Sequence, residues 1–198
     1  MSNKFGTAVI LAGGKSSRMG FDKQFVKSDD KKLVDIVAEK LRAIFSEIII
    51  VTNKPDLYEQ DEYKIISDII PGKGPLSGIH AGLVNAESEY VYFTACDMPY
   101  ISKEFVQSLK EKILGFDACV LTKGRGIEPF NAFYTKDIIP DCEFQLKKKD
   151  TSPAAMLKRV NCNYLNRNDY EFYKPEKYYF NLNTQQDLNK LLSKEEIK

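Results

Sequence analysis

Histidine is almost absent from this sequence of 198 residues, since His80 is the only one. A single histidine makes the Ser-His and Cys-His pairs that activate a protein nucleophile a poor explanation for any activity. The four cysteines, Cys96, Cys119, Cys142 and Cys162, form no C-x-x-C pair and have no histidine cluster near them. We therefore expect reduced thiols rather than a zinc site or a disulfide framework.

A large net charge and a long apolar run are also missing. The formal net charge is +1 at pH 7, so no surface field of one sign would attract nucleic acid or an anionic membrane. No apolar run approaches the roughly 20 residues that span a bilayer, and the first residues do not follow the pattern of a secretory signal. We therefore expect a cytoplasmic protein that binds neither nucleic acid nor membranes.

Apolar strands alternate with amphipathic helices along most of the chain. The clearest strand patterns lie at 7–11, 47–52, 90–96 and 117–122, and weaker ones at 63–67, 127–134 and 178–184. The helical patterns lie at 32–45, 79–85, 103–114, 137–146, 153–159 and 185–192. This alternation predicts an α/β fold, a three-layer α/β/α sandwich with a mostly parallel central sheet, formed by one domain over residues 1–198.

Ligands of such sheets bind beyond the carboxyl ends of the strands. Four segments follow predicted strands in this way, at 11–23, 52–53, 67–78 and 97–99. Because carboxyl ends of parallel strands meet at one edge, we expect these segments to converge on one crevice.

The first segment, LAGGKSSRMGFDK from Leu11 to Lys23, combines glycines with cations. It matches neither the Walker A pattern nor the dinucleotide pattern G-x-G-x-x-G. Gly13 and Gly14 let backbone amides approach an anion, and Arg18 and Lys23 offer a planar fork and a point charge. The segment therefore favours a triphosphate site, with a glycine-rich turn and solvated cations as the alternative.

Carboxylates and amides follow other predicted strands. Asp97 ends an apolar strand and could hold Mg²⁺, which prefers oxygen ligands and substrate phosphates, or it could be a turn or helix-cap residue. Asp68 could accept hydrogen bonds from purine N–H groups or a ribose hydroxyl, or lie in an ordinary turn. Asn181 and Asn183 share one side of a predicted strand, where they could also serve as a strand end or a helix cap.

Four motifs in this order and spacing resemble those of molybdenum cofactor guanylyltransferases: LAGGKSSRMGFDK, PGKGPLSGIHAGL, ACDMPYI and NLNT. That family lies within the nucleotidyltransferase superfamily, which has a Rossmann-like, glycosyltransferase-A-like fold. The resemblance extends from Thr7 to Leu192. It implies an enzyme that transfers GMP from GTP to the terminal phosphate of Mo-molybdopterin, forms Mo-molybdopterin guanine dinucleotide and releases pyrophosphate in a Mg²⁺-dependent reaction.

The resemblance also implies roles for individual residues. The implied GTP site consists of Leu11, Ala12, Gly13, Gly14, Lys23, Asn53, Asp68 and Asp97. Among these, Asp68 would help to read guanine, and Asp97 would bind Mg²⁺ and GTP together. From their charges, we expect Arg18, Lys23 and the metal held by Asp97 to act in catalysis. Asn181 and Asn183 would lie on the pterin side, so that the N-terminal half binds GTP and the C-terminal half binds the pterin.

Two other functions remain open at the level of the sequence. A nucleotidyltransferase of another specificity would make the cytosine form of the same cofactor or act on a sugar or isoprenoid phosphate. A non-catalytic carrier would only deliver the pterin cofactor, although Arg18, Lys23 and Asp97 together favour an enzyme. The implied partners are GTP and Mo-molybdopterin as substrates, with transient contact to molybdopterin-handling proteins or apo-molybdoenzymes also allowed.

Overall fold

The computed structural model describes residues 3–13, 27–28, 31–58, 63–124, 126–170 and 182. The strands are β1 (Thr7–Leu11), β2 (Lys27–Ser28), β3 (Lys31–Lys32), β4 (Glu47–Val51), β5 (Lys64–Ile66), β6 (Tyr90–Ala95), β7 (Ala118–Lys123), β8 (Gly126–Thr135) and β9 (Cys162–Leu165). The α-helices are α1 (Leu33–Arg42), α2 (Pro75–Asn85), α3 (Lys103–Lys112), α4 (Ile139–Leu146), α5 (Pro153–Leu157) and α6 (Arg167–Tyr170). Short 3₁₀ helices lie at Pro55–Leu57 and Lys136–Ile138.

Seven strands form one sheet in the order β5-β4-β1-β6-β8-β7-β9, and β2 and β3 form a separate antiparallel pair. Every neighbouring pair in the large sheet is parallel except the two that involve β8. Strand β8 therefore runs against the other six. Its amino end lies at the edge of the sheet where the other strands have their carboxyl ends.

The side chains of each strand alternate between two apolar layers, as strand geometry requires. On β1, Ala8 and Ile10 pack with α1 and α3 on one face, and Val9 packs with α2 and α4 on the other. Helices therefore cover both faces of the sheet. The α/β class with three layers and a mostly parallel sheet, predicted from the alternation of elements, is confirmed.

Helix α2 lies unusually close to the sheet because two of its residues have no side chain. An added Cβ at Gly82 would lie 2.7 Å from Phe93 Cε1 and 2.9 Å from Val9 Cγ1, and one at Gly78 would lie 2.8 Å from Leu11 Cδ2. Both glycines thus permit an approach that any larger residue would prevent. This packing fixes the start of α2 against the end of β1.

Most predicted elements agree with the structure within a few residues, and the differences have physical reasons. Helix α2 begins at Pro75 rather than at residue 79, because proline is well tolerated in the first turn of a helix. Strand β9 and helix α6 were not predicted, since they are only four residues each and carry little apolar periodicity. The predicted strand at 178–184 and helix at 185–192 lie outside the described residues, apart from Leu182.

Among the described residues, no helix combines the length and the apolar character that crossing a membrane would require.

Candidate functional site

The four strands β5, β4, β1 and β6 are neighbours and run parallel, so their carboxyl ends form one continuous edge. Backbone hydrogen bonds extend this order past the strands. The Ala12 amide donates to the Val51 carbonyl at 2.8 Å, and the Cys96 amide donates to the Leu11 carbonyl at 3.1 Å. The segments that follow these strands therefore begin at one crevice, where ligands of this architecture bind.

At the centre of this edge, the segment after β1 contacts the segment after β4. Asn53 is exposed, and its side-chain nitrogen donates to the Gly13 carbonyl at 3.4 Å. An added Cβ at Gly13 would lie 3.1 Å from the same nitrogen. Glycine thus lets the two loops touch and leaves backbone polar groups accessible from the crevice. The structure brings together the predicted contacts Ala12, Gly13 and Asn53.

Asp68 follows β5 at the outer end of the edge. Its side chain is half-buried, and burial raises the pKa of its carboxyl group above the ordinary value of 3.8. Among the described residues, no group donates a hydrogen bond to this carboxylate and no cation forms an ion pair with it. A partly desolvated carboxylate without donors is well suited to accept hydrogen bonds from a ligand.

Two glycines between Asp68 and α2 have positive φ angles. Gly72 and Gly74 both have φ of 77°, and Gly74 is the residue before the first turn of α2, with ψ of −160°. This backbone region is essentially restricted to glycine. The Ser77 hydroxyl donates to the Ile70 carbonyl and fastens the loop to the helix. The amino end of α2 is thereby turned toward the strand-end edge, where a helix terminus favours an anion or a polar base edge.

The strain at Gly74 leads to a specific prediction. We expect Gly74→Ala to weaken nucleotide binding about tenfold, because a backbone conformation closed to alanine adds about 1–3 kcal/mol of strain that the loop would relieve by moving. Calorimetric titration with GTP measures this effect. Gly115→Ala is the matched control, since Gly115 has φ of 84° and, like Gly74, no atom within 4 Å of an added Cβ. It should lower stability without changing nucleotide affinity, and equal losses of affinity in both variants would contradict this role of the loop.

Asp97 lies in a tight turn directly after β6. The Met98 amide donates to the Ala95 carbonyl at 3.0 Å, which closes the turn around Cys96 and Asp97. The Asp97 carbonyl in turn accepts a hydrogen bond from the Leu182 amide at 2.9 Å. The Asp97 side chain is half-buried at the crevice. A turn held on both sides gives the carboxylate a fixed position.

Lys40 supports this turn from α1. Its side-chain Nζ donates to the Pro99 carbonyl at 2.7 Å, and burial lowers the pKa of the Lys40 amine. The sequence offered no signal for this contact, because a lysine on an amphipathic helix ordinarily faces solvent. Lys40 therefore helps to hold the segment after Asp97 in place, a role that was not predicted.

Several predicted site residues lie outside the described part of the chain: Gly14, Arg18, Lys23, Asn181 and Asn183. Leu182, which separates the two asparagines in the sequence, is buried and bonded to the Asp97 backbone. The NLNT motif and the CDMPY motif thus have a direct contact at Leu182.

The crevice has a length that can be estimated from the sheet. Asp68 follows β5 and Asp97 follows β6, with β4 and β1 between them. Since neighbouring strands are about 4.8 Å apart, the two strand ends are separated by roughly 14 Å. The two carboxylates are therefore positioned for opposite ends of one extended ligand rather than for a shared ion.

The donor set suits a metal bound mainly by a substrate. Within the described residues, no group of three His, Cys, Asp or Glu side chains could hold a metal ion. Mg²⁺ is commonly held by one or two carboxylates together with substrate phosphates, so a single carboxylate at Asp97 fits that mode. A metal cage made of protein ligands alone does not fit the described residues.

Three of the four thiols lie away from the strand-end edge, whereas Cys96 lies in the Asp97 turn. None of the four cysteines forms a disulfide, and three of them are buried. Burial raises the pKa of Cys119, Cys142 and Cys162 to about 12. These three groups therefore remain protonated and poorly nucleophilic at neutral pH.

Comparison with known proteins agrees with this geometry. The MobA-like NTP transferase domain matches residues 8–163. A probable molybdenum cofactor guanylyltransferase of Peptoclostridium acidaminophilum is 46% identical over 192 residues, covering 93% of this chain and 87% of that protein. A molybdenum cofactor guanylyltransferase of Syntrophotalea carbinolica is 43% identical, covering 94% of this chain and 90% of that protein.

A solved structure shows the same arrangement. Molybdopterin-guanine dinucleotide biosynthesis protein A of Archaeoglobus fulgidus superimposes with a TM-score of 0.79 at 27% sequence identity, covering 94% of this chain and 97% of that one. The resemblance inferred from the four sequence motifs is thereby confirmed. The chain belongs to the MobA-like NTP transferase family and is a nucleotidyltransferase.

Proposed function

We propose that this chain transfers GMP from GTP to the terminal phosphate of Mo-molybdopterin, forms Mo-molybdopterin guanine dinucleotide and releases pyrophosphate. The observation that carries the proposal is the placement of Asp68 and Asp97 at opposite ends of one strand-end crevice. The names of the relatives support the same activity, since the two compared above are a guanylyltransferase and a probable guanylyltransferase of the molybdenum cofactor.

Asp68 would select the base. Guanine presents an N1–H and an exocyclic 2-amino group side by side, and a carboxylate can accept both hydrogen bonds. Cytosine, uracil and adenine do not present this pair of adjacent donors. No described residue donates a hydrogen bond to Asp68, so none of them competes with guanine for this carboxylate.

Asp97 would act at the triphosphate end. Its carboxylate would hold Mg²⁺, which when bound neutralises part of the negative charge on the triphosphate. Arg18 and Lys23 would bind phosphate oxygens, and the backbone of Leu11–Gly14 would approach the nucleotide. These groups orient the α-phosphate and stabilise the pyrophosphate as it leaves.

The reaction needs no protein nucleophile. The terminal phosphate of Mo-molybdopterin is already an anion at neutral pH, and one of its oxygens attacks the α-phosphorus of GTP. A new P–O–P bond forms, and the bond from the α-phosphorus to the bridging oxygen of the β-phosphate breaks. The bonding electrons leave with pyrophosphate. The task of the protein is thus to align the two anions and to offset their repulsion.

The pterin side would be formed by the C-terminal half of the chain. Asn181 and Asn183 would contact the pterin or the reacting phosphates, and the bond between Leu182 and Asp97 supports their placement beside the metal-binding turn. Residues 1–198 would then work as one domain with two substrate sites. We place this activity in the cytoplasm, where the product could pass directly to molybdopterin-handling proteins or apo-molybdoenzymes.

Nucleotide preference offers a first test. Thermal shift measurements with GTP, CTP and UTP, each with Mg²⁺, should show stabilisation by GTP well above that of the pyrimidine nucleotides. Stabilisation by CTP alone would contradict the assignment and favour a cytidylyltransferase. Stabilisation by Mo-molybdopterin without any nucleotide effect would favour a carrier.

A further inference from the structure

A buried asparagine interrupts β8 in a conformation unusual for a strand. Asn131 has φ of 49° and is fully buried, and it is the one described residue other than glycine with a positive φ. Left-handed backbone is unfavourable for residues with a side chain, although asparagine tolerates it better than most. Such outliers persist where the surrounding structure holds them, often near functional sites.

The side chain of Asn131 joins β8 to β6. Its Oδ1 accepts a hydrogen bond from the Tyr92 hydroxyl at 2.7 Å and another from the Thr94 hydroxyl at 3.0 Å. Tyr92 and Thr94 are two residues apart on β6 and so project from the same face of the strand. All three residues are fully buried, so one amide oxygen binds two hydroxyls of the neighbouring strand away from water.

Asn131 also lies where the pairing of β8 becomes irregular. The β6–β8 ladder is regular from Tyr90 opposite Thr135 to Phe93 opposite Ala132. Against β7, in contrast, the register shifts: between the pairs Cys119–Phe133 and Leu121–Glu128, β7 advances by two residues and β8 by five. Bulges of this kind redirect strands and are frequent beside active sites. Here the shift lies where β6 ends, immediately before the Asp97 turn.

We propose that Asn131 is a positioning residue for Asp97, acting through Thr94. The proposal rests on the proposed function, in which Asp97 holds the metal of the triphosphate. A glycine would satisfy the backbone at this position but would bind neither hydroxyl. The buried amide instead fixes β6 at Thr94, three residues before Asp97, so that the Asp97 turn starts from one defined position.

Replacement of the donor isolates this contact. Thr94→Val removes the hydroxyl and keeps the shape of the side chain, whereas Thr94→Ser keeps the hydroxyl. We expect Thr94→Val to abolish most of the Mg²⁺-dependent gain in GTP affinity, lowering that affinity about tenfold in the presence of Mg²⁺ and leaving Mg²⁺-free GTP binding unchanged. Thr94→Ser should behave within about twofold of the unmodified protein.

Thr7→Val serves as the matched control. Thr7 is also a fully buried strand threonine, and its hydroxyl binds Glu47 and Ser88, but it lies at the opposite edge of the sheet. The Thr7→Val change should lower the melting temperature without altering the Mg²⁺ dependence of GTP affinity. Calorimetric titration of each protein with GTP, with and without Mg²⁺, makes the measurement.

The outcomes separate this proposal from the proposed function. The proposal for Asn131 would be overturned if Thr94→Val bound GTP with normal Mg²⁺ dependence, or if Thr94→Val and Thr94→Ser had equal effects. GTP binding by the unmodified protein that does not respond to Mg²⁺ would overturn it together with the metal role of Asp97. None of these titrations contains Mo-molybdopterin, so a failure of GMP transfer to that acceptor would not change what they show about the hydrogen bond from Thr94 to Asn131.

Discussion

Replacing Asp97 with asparagine should lower the rate of GMP transfer by about 100- to 1,000-fold, the loss typical when a preorganised electrostatic contact to the reacting groups is removed. Asparagine keeps the size of the side chain but loses the negative charge that would hold Mg²⁺ on the triphosphate. The hydrogen bonds that fix the turn use the Ala95 and Asp97 carbonyls and would remain. We therefore expect a folded protein with a greatly reduced kcat.

Asp137→Asn is the control for this variant. Asp137 is exposed and follows β8, whose carboxyl end lies at the edge of the sheet opposite to the crevice. Initial rates of pyrophosphate release at saturating GTP and Mo-molybdopterin would compare the two variants. A rate for Asp97→Asn within threefold of the unmodified protein would exclude Asp97 from the catalytic metal site.

Replacing Asp68 with asparagine should weaken GTP binding by about 10- to 100-fold, which corresponds to roughly 1.5–3 kcal/mol for lost hydrogen bonds to a charged group. Inosine triphosphate lacks the 2-amino group of guanine and tests the contact directly. The unmodified protein should bind GTP more tightly than inosine triphosphate. The variant should bind both nearly equally, because its amide cannot accept both guanine hydrogen bonds.

The pH dependence of this contact has a defined sign. Burial raises the pKa of Asp68 in the free protein, so folding favours the protonated form. The contribution of Asp68 to the free energy of unfolding therefore decreases as pH rises from 3.8, the ordinary pKa of the carboxyl group, through its raised pKa in the folded protein. At neutral pH, Asp68→Asn should leave the melting temperature of the free protein unchanged or slightly higher.

Nucleotide binding should show the opposite trend. Guanine donors favour the ionised carboxylate, so GTP affinity should increase as pH rises through the raised pKa of Asp68, and Asp68→Asn should lose this increase. Calorimetric titrations over a pH series, with Asp137→Asn as control, make the comparison.

The inosine triphosphate test has its own contradicting outcome. If the Asp68→Asn protein still preferred GTP to inosine triphosphate, groups other than Asp68 would read the base.

The strands that build the crevice could be predicted because each carries its signal locally. Strands β1, β4 and β6 are continuous runs of β-branched and apolar residues, and each is followed within two positions by Gly13, Thr52 or Asp97. Parallel pairing then places their carboxyl ends at one edge, which is why Gly13 and Asp97 could be assigned to one crevice before their contacts were known.

The direction of β8 and the supports of the Asp97 turn could not be predicted in this way. The order of strands depends on packing between residues distant in sequence, as in the pairing of Phe93 with Ala132. Lys40 gave no signal, because its contact with Pro99 depends on how α1 packs against the sheet. Asn131 did leave a trace, a polar residue within the apolar run IEPFNAFY, but its role needed the hydrogen bonds to Tyr92 and Thr94.

The most direct test of the proposed activity is the fate of the GTP α-phosphate. GTP labelled at that position should be incubated with the protein, Mg²⁺ and Mo-molybdopterin, with labelled CTP in a parallel reaction. We expect label from GTP to appear in Mo-molybdopterin guanine dinucleotide, with one pyrophosphate released for each product formed and no transfer from CTP. Label transferred from CTP in preference to GTP, or no labelled dinucleotide from either, would contradict the proposed activity.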